Sequence, residues 1–406
     1  MIAWLASIAL AAPCTAIVGG TVWIDGAPVQ GASVVLQGTK VVAAGVAPAG
    51  LTSGAAPAWQ GAPCTKYDAT GKVVTAGLID VATQIGVSEI GLEAATVDAN
   101  PSVEDPIRAA LRVVDAYDPR SVQVAVARRG GVTSVIVAPG GGFVSGVGAW
   151  VRLAGATQAE AVVDADAVMV ASLEVAGSKA EGALRLRELF AETRFYQQNT
   201  SAWLANRTRP LAAEALDLQA MIPVVRGELP LVVAADRAAD LEMLARMAEQ
   251  EGVRLVIHGA AEGWLVADQL ADAKIAVVVD PLVYGAGSFD QVYGRPDNAA
   301  LLVAAGVPVM ISTFSGHNAR DLRVRAGNAV RGGLAPADAL AAITSVPASV
   351  FGADAGALAP GRAADVVVWT GDPLETSTWA EAVWVAGEPR SLDSRQTELR
   401  DRYLAR

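Results

Sequence analysis

Gly77-Leu78-Ile79-Asp80-Val81-Ala82-Thr83-Gln84 is the stretch on which the fold turns. A turn, Ala69-Thr70-Gly71-Lys72, and a short run, Val73-Val74-Thr75, lead into it. Before it the chain alternates with period two and is broken by Gly and Pro. After it, apolar strands alternate with amphipathic helices. A change of architecture therefore falls at this point.

On the N-terminal side, Ile17–Trp23, Ala32–Leu36 and Lys40–Ala44 read as short strands of a small β-sheet, and Val46–Pro63 as a loop. On the C-terminal side, Val132–Val137 is a β-branched run suited to a strand buried on both faces. Leu231–Val233, Leu255–Ile257, Ile275–Val279 and Val307–Ile311 have the same character. Helical stretches at Ala238–Gln250, Gly263–Ala273 and Asn298–Ala305 separate the later ones. Strand, helix and strand at this spacing predict right-handed βαβ units. The fold class is α/β, a (β/α)8 TIM-like barrel over residues 76–357, with an open doubly wound sheet as the other arrangement the pattern permits. Ala363–Trp369 and Ala382–Gly387 return to strand patterning. They are expected to complete a composite β-sandwich domain from residues 13–75 and 358–390, leaving a charged, helix-compatible tail at 391–406.

At 406 residues and 52% hydrophobic, the chain is long enough for a large core and has a globular composition. A net charge of −11 argues against a nucleic-acid partner, which requires clustered Lys and Arg. Beyond the N-terminus no apolar run is long enough to span a membrane. Residues 1–12 are almost wholly apolar and end in small residues, with Ala9-Leu10-Ala11 resembling a cleavage site, although no positive n-region precedes them. They are expected to be a signal segment for a periplasmic or secreted protein, a buried first strand being the alternative. Cys14 and Cys64 each come just before a predicted strand. If those strands are neighbours, a disulfide is geometrically allowed and fits an oxidising compartment; two unpaired thiols are the other reading.

Two separated motifs carry a family likeness. Gly71-Lys72-Val73-Val74-Thr75-Ala76-Gly77-Leu78-Ile79-Asp80 opens the barrel, and Gly356-Ala357-Leu358-Ala359-Pro360-Gly361-Arg362-Ala363-Ala364-Asp365-Val366-Val367-Val368-Trp369 closes it, followed by Asp372-Pro373-Leu374. Together they resemble the amidohydrolase superfamily, nearest to imidazolonepropionase-like metal-dependent hydrolases. The likeness covers nearly everything after the signal segment.

That resemblance implies one or two divalent metals at the barrel mouth, activating a water and held by imidazole and carboxylate groups. The implied His-x-His pair falls on Ala82 and Gln84. A further implied histidine falls on Ala234, and the late aspartate on Phe314 in Ile311-Ser312-Thr313-Phe314. The next strand keeps His258. Only two histidines exist in the whole chain, His258 and His317. The family's metal set is therefore not rebuilt by any rearrangement, though Asp80, Asp236 and Asp280 leave a weak carboxylate site open.

His258 and His317 are the remaining acid–base candidates, each weighed against a purely structural role. Pro139–Gly146 lacks the Gly-Lys-Ser/Thr ending of a phosphate loop and reads as a mobile mouth loop. Ser145 has no nucleophile elbow around it. Glu89, Glu93, Asp98 and Asp105 form an acidic run that reads as a solvated face.

The first expectation is thus an exported amidohydrolase-like pseudoenzyme or small-molecule-binding protein without a cofactor. The second is an active hydrolase of cyclic amides or peptides, using one weakly held zinc or His258 alone. The third is a structural partner of an active homologue. Homo-oligomerisation stays open.

Overall fold

The computed structural model describes residues 13–52, 54–101, 105–285 and 287–405. The expected signal segment lies outside them. The chain divides into two compact units, one of residues through Gly77 with Asp354–Pro373 and Thr378–Arg390, the other of Leu78–Ala353 with Leu374–Ser377 and the residues from Ser391.

The first unit is built on one eight-stranded sheet. Cys14–Ile24 pairs antiparallel with Ala27–Gln37, which pairs with Lys40–Gly45. The C-terminal segment joins where Val366–Trp369 lies antiparallel to Val73–Ala76. Alternation assigns the faces: Val34 and Leu36 enter the core with Ile17, Val74 and Val368, whereas Val35 packs on the other side with Ala43 and Trp59. Residues 46–63 are not a plain loop. Leu51–Thr52, Ala58–Trp59 and Ala62–Pro63 form a small second sheet, and Trp59 is buried against Val35. The large apolar area of one Trp fixes a segment whose composition otherwise reads as irregular.

The second unit holds eight strands in chain order. They are β1 (Leu78–Thr83), β2 (Val132–Val137), β3 (Val144–Arg152), β4 (Val162–Ser172), β5 (Leu231–Ala235), β6 (Leu255–Gly259), β7 (Ala276–Val279) and β8 (Val309–Ile311). All residues of β2 and β7 are buried, as continuous β-branched runs demand. The sheet curls into a nearly closed α/β barrel. One strand departs from the parallel plan: β3 runs antiparallel to both β2 and β4. Only residues 138–143 join β2 to β3, too short a link for a crossover, so the chain must turn back. The stretch expected as a mobile mouth loop is consequently a tight turn followed by buried strand, with Ser145 1% exposed.

Helices lie between the later strands. Ala238–Glu251 ends at Gly252, whose φ of 65° gives the left-handed cap that terminates the helix. Between β4 and β5 run two helices, Lys179–Leu204 and Ala215–Val225, in a region where the sequence pattern marks no element. Leu374–Ser377 belongs with the barrel: the backbone oxygen of Glu375 accepts from Arg323 Nη1 at 2.6 Å. No helix among the described residues is long and apolar enough to cross a membrane.

Candidate functional site

The C-terminal ends of the strands surround a cavity of about 420 Å³. Strand β1 contributes Ala82 and runs on to Gln84, β2 leads into Pro139 and Gly140, and β6 supplies His258. The segment after β8 adds Phe314 and His317, and the helix Val122–Arg129 adds Gln123. Five of the positions singled out in the sequence therefore share one wall. Ala234 does not line the cavity; it stands beside His258 in register on β5.

His258 and Phe314 form an aromatic pair, with ring centroids 4.3 Å apart and planes tilted by 33°. Burial pushes the His258 imidazole down to about 4, so it is neutral at physiological pH. Phe314 has φ of 52°, an uncommon conformation for a bulky side chain. Its N–H donates to Ser312 Oγ at 3.3 Å, which helps hold that turn.

Asp80 lies behind this wall and is fully buried. Its carboxylate accepts from Ser312 Oγ, from Thr313 Oγ1 at 2.6 Å and from Thr313 N–H at 3.3 Å. Among the described residues no ladder joins β1 to β8; Asp80 spans that gap, while Ile79 N–H reaches Ile343 O at 2.8 Å. Burial pushes the Asp80 carboxyl up to about 6, against the lowering effect of the hydroxyl and backbone donors.

The two flanking motifs, the barrel and a mouth built from strand ends point to one ancestry, and comparison with known proteins agrees. Residues 294–391 match the sequence profile of the Amidohydrolase family. "Amidohydrolase tasK" of Hapsidospora irregularis is 25% identical over 362 residues, covering 79% of this chain and 36% of that protein. The chain thus spans about a third of the length of that relative. The structure of an amidohydrolase from Thermotoga maritima MSB8 superposes with a TM-score of 0.80 at 25% identity, covering 93% of this chain and 99% of that one. Together these likenesses support the amidohydrolase superfamily as the chain's family. A zinc-bound adenosine deaminase from Xanthomonas campestris shares the fold, with a TM-score of 0.55, 18% identity and coverage of 98% and 100%.

Metal is common in the superfamily, so the donor set matters. Ala82 and Phe314 have no lone pair to offer. The Gln84 amide donates from Nε2 to Asn100 Oδ1 at 3.3 Å. Of the two imidazoles that line the cavity, His258 is covered by Phe314 and His317 lies on the segment after β8. A zinc centre needs at least three protein ligands, and this set does not fit one. Among the described residues no three His, Cys, Asp or Glu side chains are grouped to hold a metal ion.

The three aspartates that could have made a weak site are dispersed. Asp80 serves β8, Asp236 accepts from Ala261 N–H at 3.1 Å and Gln291 Nε2 at 2.7 Å, and Asp280 pairs with Arg325. The acidic run is dispersed too: Glu89 accepts from Ser121 Oγ at 2.9 Å and Val122 N–H at 3.0 Å at a helix start, and Asp105 pairs with Arg108 at 2.9 Å. Cys14 and Cys64 are joined in a disulfide in the β-unit, where Thr15 and Thr65 are parallel partners. Gln123 escaped sequence reading. It is a polar residue in an unremarkable helical stretch, and only the tertiary contact between that helix and the 314–317 segment makes it part of a site.

Proposed function

We propose that this superfamily member binds a small molecule at the barrel mouth and has given up metal-dependent hydrolysis. One observation carries the reading: of the positions 82, 84, 234, 258 and 314, only His258 is an imidazole, and its face is taken by Phe314. The test is metal content with restoration. Protein purified in zinc and dialysed is expected to hold less than about 0.1 zinc per chain, whereas the combined Ala82→His, Gln84→His, Ala234→His and Phe314→Asp variant is expected to hold about one. Near-stoichiometric zinc in the unaltered chain sinks the proposal. A restored variant that stays empty removes the assignment of Ala234 as a ligand position.

A second reading draws on the fact that His258 and His317 line the same cavity. On that reading the chain is a hydrolase of cyclic amides or peptides working without metal, His258 being the base. Turnover that survives chelation and disappears in His258→Gln decides for it. The Cys14–Cys64 disulfide supports work in an oxidising compartment, periplasmic or extracellular.

A further inference from the structure

The connection that leaves the C-terminal end of β7 and returns as the helix Asn298–Ala304 is sorted inside out. Its polar groups are spent on the barrel. Gln291 Nε2 donates to Asp236 Oδ2 at 2.7 Å, and the Tyr293 N–H donates to Oε1 of the buried Glu262 at 3.1 Å. The Tyr293 carbonyl accepts from Trp264 Nε1 at 2.8 Å, and Lys179 Nζ meets Asp290 at 3.0 Å. Its apolar side chains take the outside. Phe289 is 94% exposed, Tyr293 62% and Tyr284 46%, and Leu282, Val283 and Val292 are exposed on the same connection. The Gly285 N–H reaches Gly294 O at 3.1 Å, which brings the backbone beside Tyr284 next to that beside Tyr293. A connection that faces only water is built from Gly, Pro, Asn, Asp and Ser. Here polar contacts fix the backbone while six large apolar side chains are left in solvent, an arrangement that the folding of one chain does not explain.

Size and charge say what covers this face. At about 150–250 Å² for a fully exposed aromatic side chain, and less for Leu and Val, the six present about 600 Å². That is the upper end of what a monomer leaves in water. Two such faces together bury about 1,200 Å², the size at which stable, specific interfaces begin. The charges on the connection are matched within the chain: Lys179 with Asp290, Arg295 with Asp297 and Asp280 with Arg325. A neutral face meets its own copy without like-charge repulsion. It offers no surplus cation to an anionic lipid surface, which a chain of net charge −11 also repels.

We propose that Tyr284, Phe289 and Tyr293 form the centre of a two-fold interface between two copies of this chain, with Phe289 as its anchor. The interface is independent of what the cavity binds.

Sedimentation equilibrium of the full chain between about 1 and 100 µM is the test. The parent is expected to be mostly dimeric at the upper concentration. Phe289→Asp places one unpaired carboxylate per chain in the buried centre and is expected to weaken association at least about a hundredfold, leaving monomer throughout. Because Phe289 is 94% exposed, the melting temperature of the dilute variant is expected to match that of the dilute parent. Tyr293→Glu reads the same face through a second side chain and is expected to weaken association about tenfold or more. Leu404→Asp, an exposed position on the C-terminal helix, is the control and is expected to leave the mass unchanged. A parent chain that stays monomeric at the upper concentration overturns the proposal. So does a dimer that neither Phe289→Asp nor Tyr293→Glu disturbs, or one that Leu404→Asp disturbs equally. A monomeric parent that sediments with phosphatidylcholine vesicles, and ceases to in Phe289→Asp, gives the face to lipid and overturns it as well.

Discussion

Asp80→Ala is expected to lower the stability of the barrel unit by about 3–5 kcal/mol, read as a fall of about 10 °C in the melting temperature. The side chain removed is the acceptor for Ser312 Oγ, Thr313 Oγ1 and Thr313 N–H, all of them buried. Three orphaned donors at about 1–3 kcal/mol each set the scale. The sum is reduced because Thr313 Oγ1 already has a second acceptor, Ser315 O at 3.0 Å. Position matters as much as number. These bonds tie the first strand to the last, where no ladder does so among the described residues. Hydrogen exchange is therefore expected to rise first in β1 and β8. A variant with wild-type stability would show that the gap is held by packing alone.

The same carboxyl gives a pH dependence, and His258 opposes it. Asp80 is raised from 3.8 to about 6, so its stabilising contribution is complete below 3.8 and is lost as pH rises through 6. That amounts to about 3 kcal/mol. His258 is lowered from 6.5 to about 4, so its contribution is complete above 6.5 and is lost as pH falls through 4. With an allowance for the part of the ring open to the cavity, this is about 2–3 kcal/mol. Between pH 4 and 6 the two groups pull in opposite directions and nearly cancel. His258→Gln removes only the second. Its stability relative to the parent protein is expected to improve by about 2 kcal/mol from pH 6.5 to 4.5 in urea titrations. A flat difference would mean that the imidazole is not held neutral.

The two flanking motifs and the runs at Val132–Val137, Leu231–Val233, Leu255–Ile257, Ile275–Val279 and Val307–Ile311 were legible because burial on both faces requires continuous β-branched runs. The strands β3 and β4 were not read at all, and with them the reversal at β3 was missed, since Gly and polar residues interrupt both runs. The only signal of that reversal was the shortness of the link at residues 138–143. At the site, Ala82, Gln84 and Phe314 were singled out through the family resemblance and His258 and His317 as the two histidines of the chain, and all five line one cavity. Asp80 as a strand clasp and Gln123 as a lining residue of the cavity were not found. Both roles depend on partners far away in sequence, Ser312 and Thr313 in one case and Gly316 in the other. Likewise the acidic segment reads as a cluster in sequence, while in the fold Glu89 and Asp105 turn to separate donors.

Loss of the Cys14–Cys64 bond, by reduction or by Cys14→Ser, is expected to destabilise the β-unit by about 4 kcal/mol, although hardly any native contact changes. The bond closes a loop with a sequence separation of 50. In the chain-entropy account, releasing a loop of that size returns about 4 kcal/mol of freedom to the unfolded chain. The native side explains where the effect shows first. Among the described residues Thr65–Asp68 pairs as a strand only with Cys14–Ile24, off the main path of the sheet, so once the covalent tie is cut it is held by that one ladder and by Tyr67, which packs on Trp384 and donates to Glu381 at 3.0 Å. Trp59 and Leu51 share a small cluster with Cys14 and Cys64, so the second sheet is expected to loosen with it. Tryptophan fluorescence on heating, with and without dithiothreitol, gives the measurement: the parent transition should fall on reduction, and that of Cys14→Ser should not respond. Two titratable thiols in denatured, unreduced parent protein would remove the disulfide and with it the structural support for an oxidising compartment.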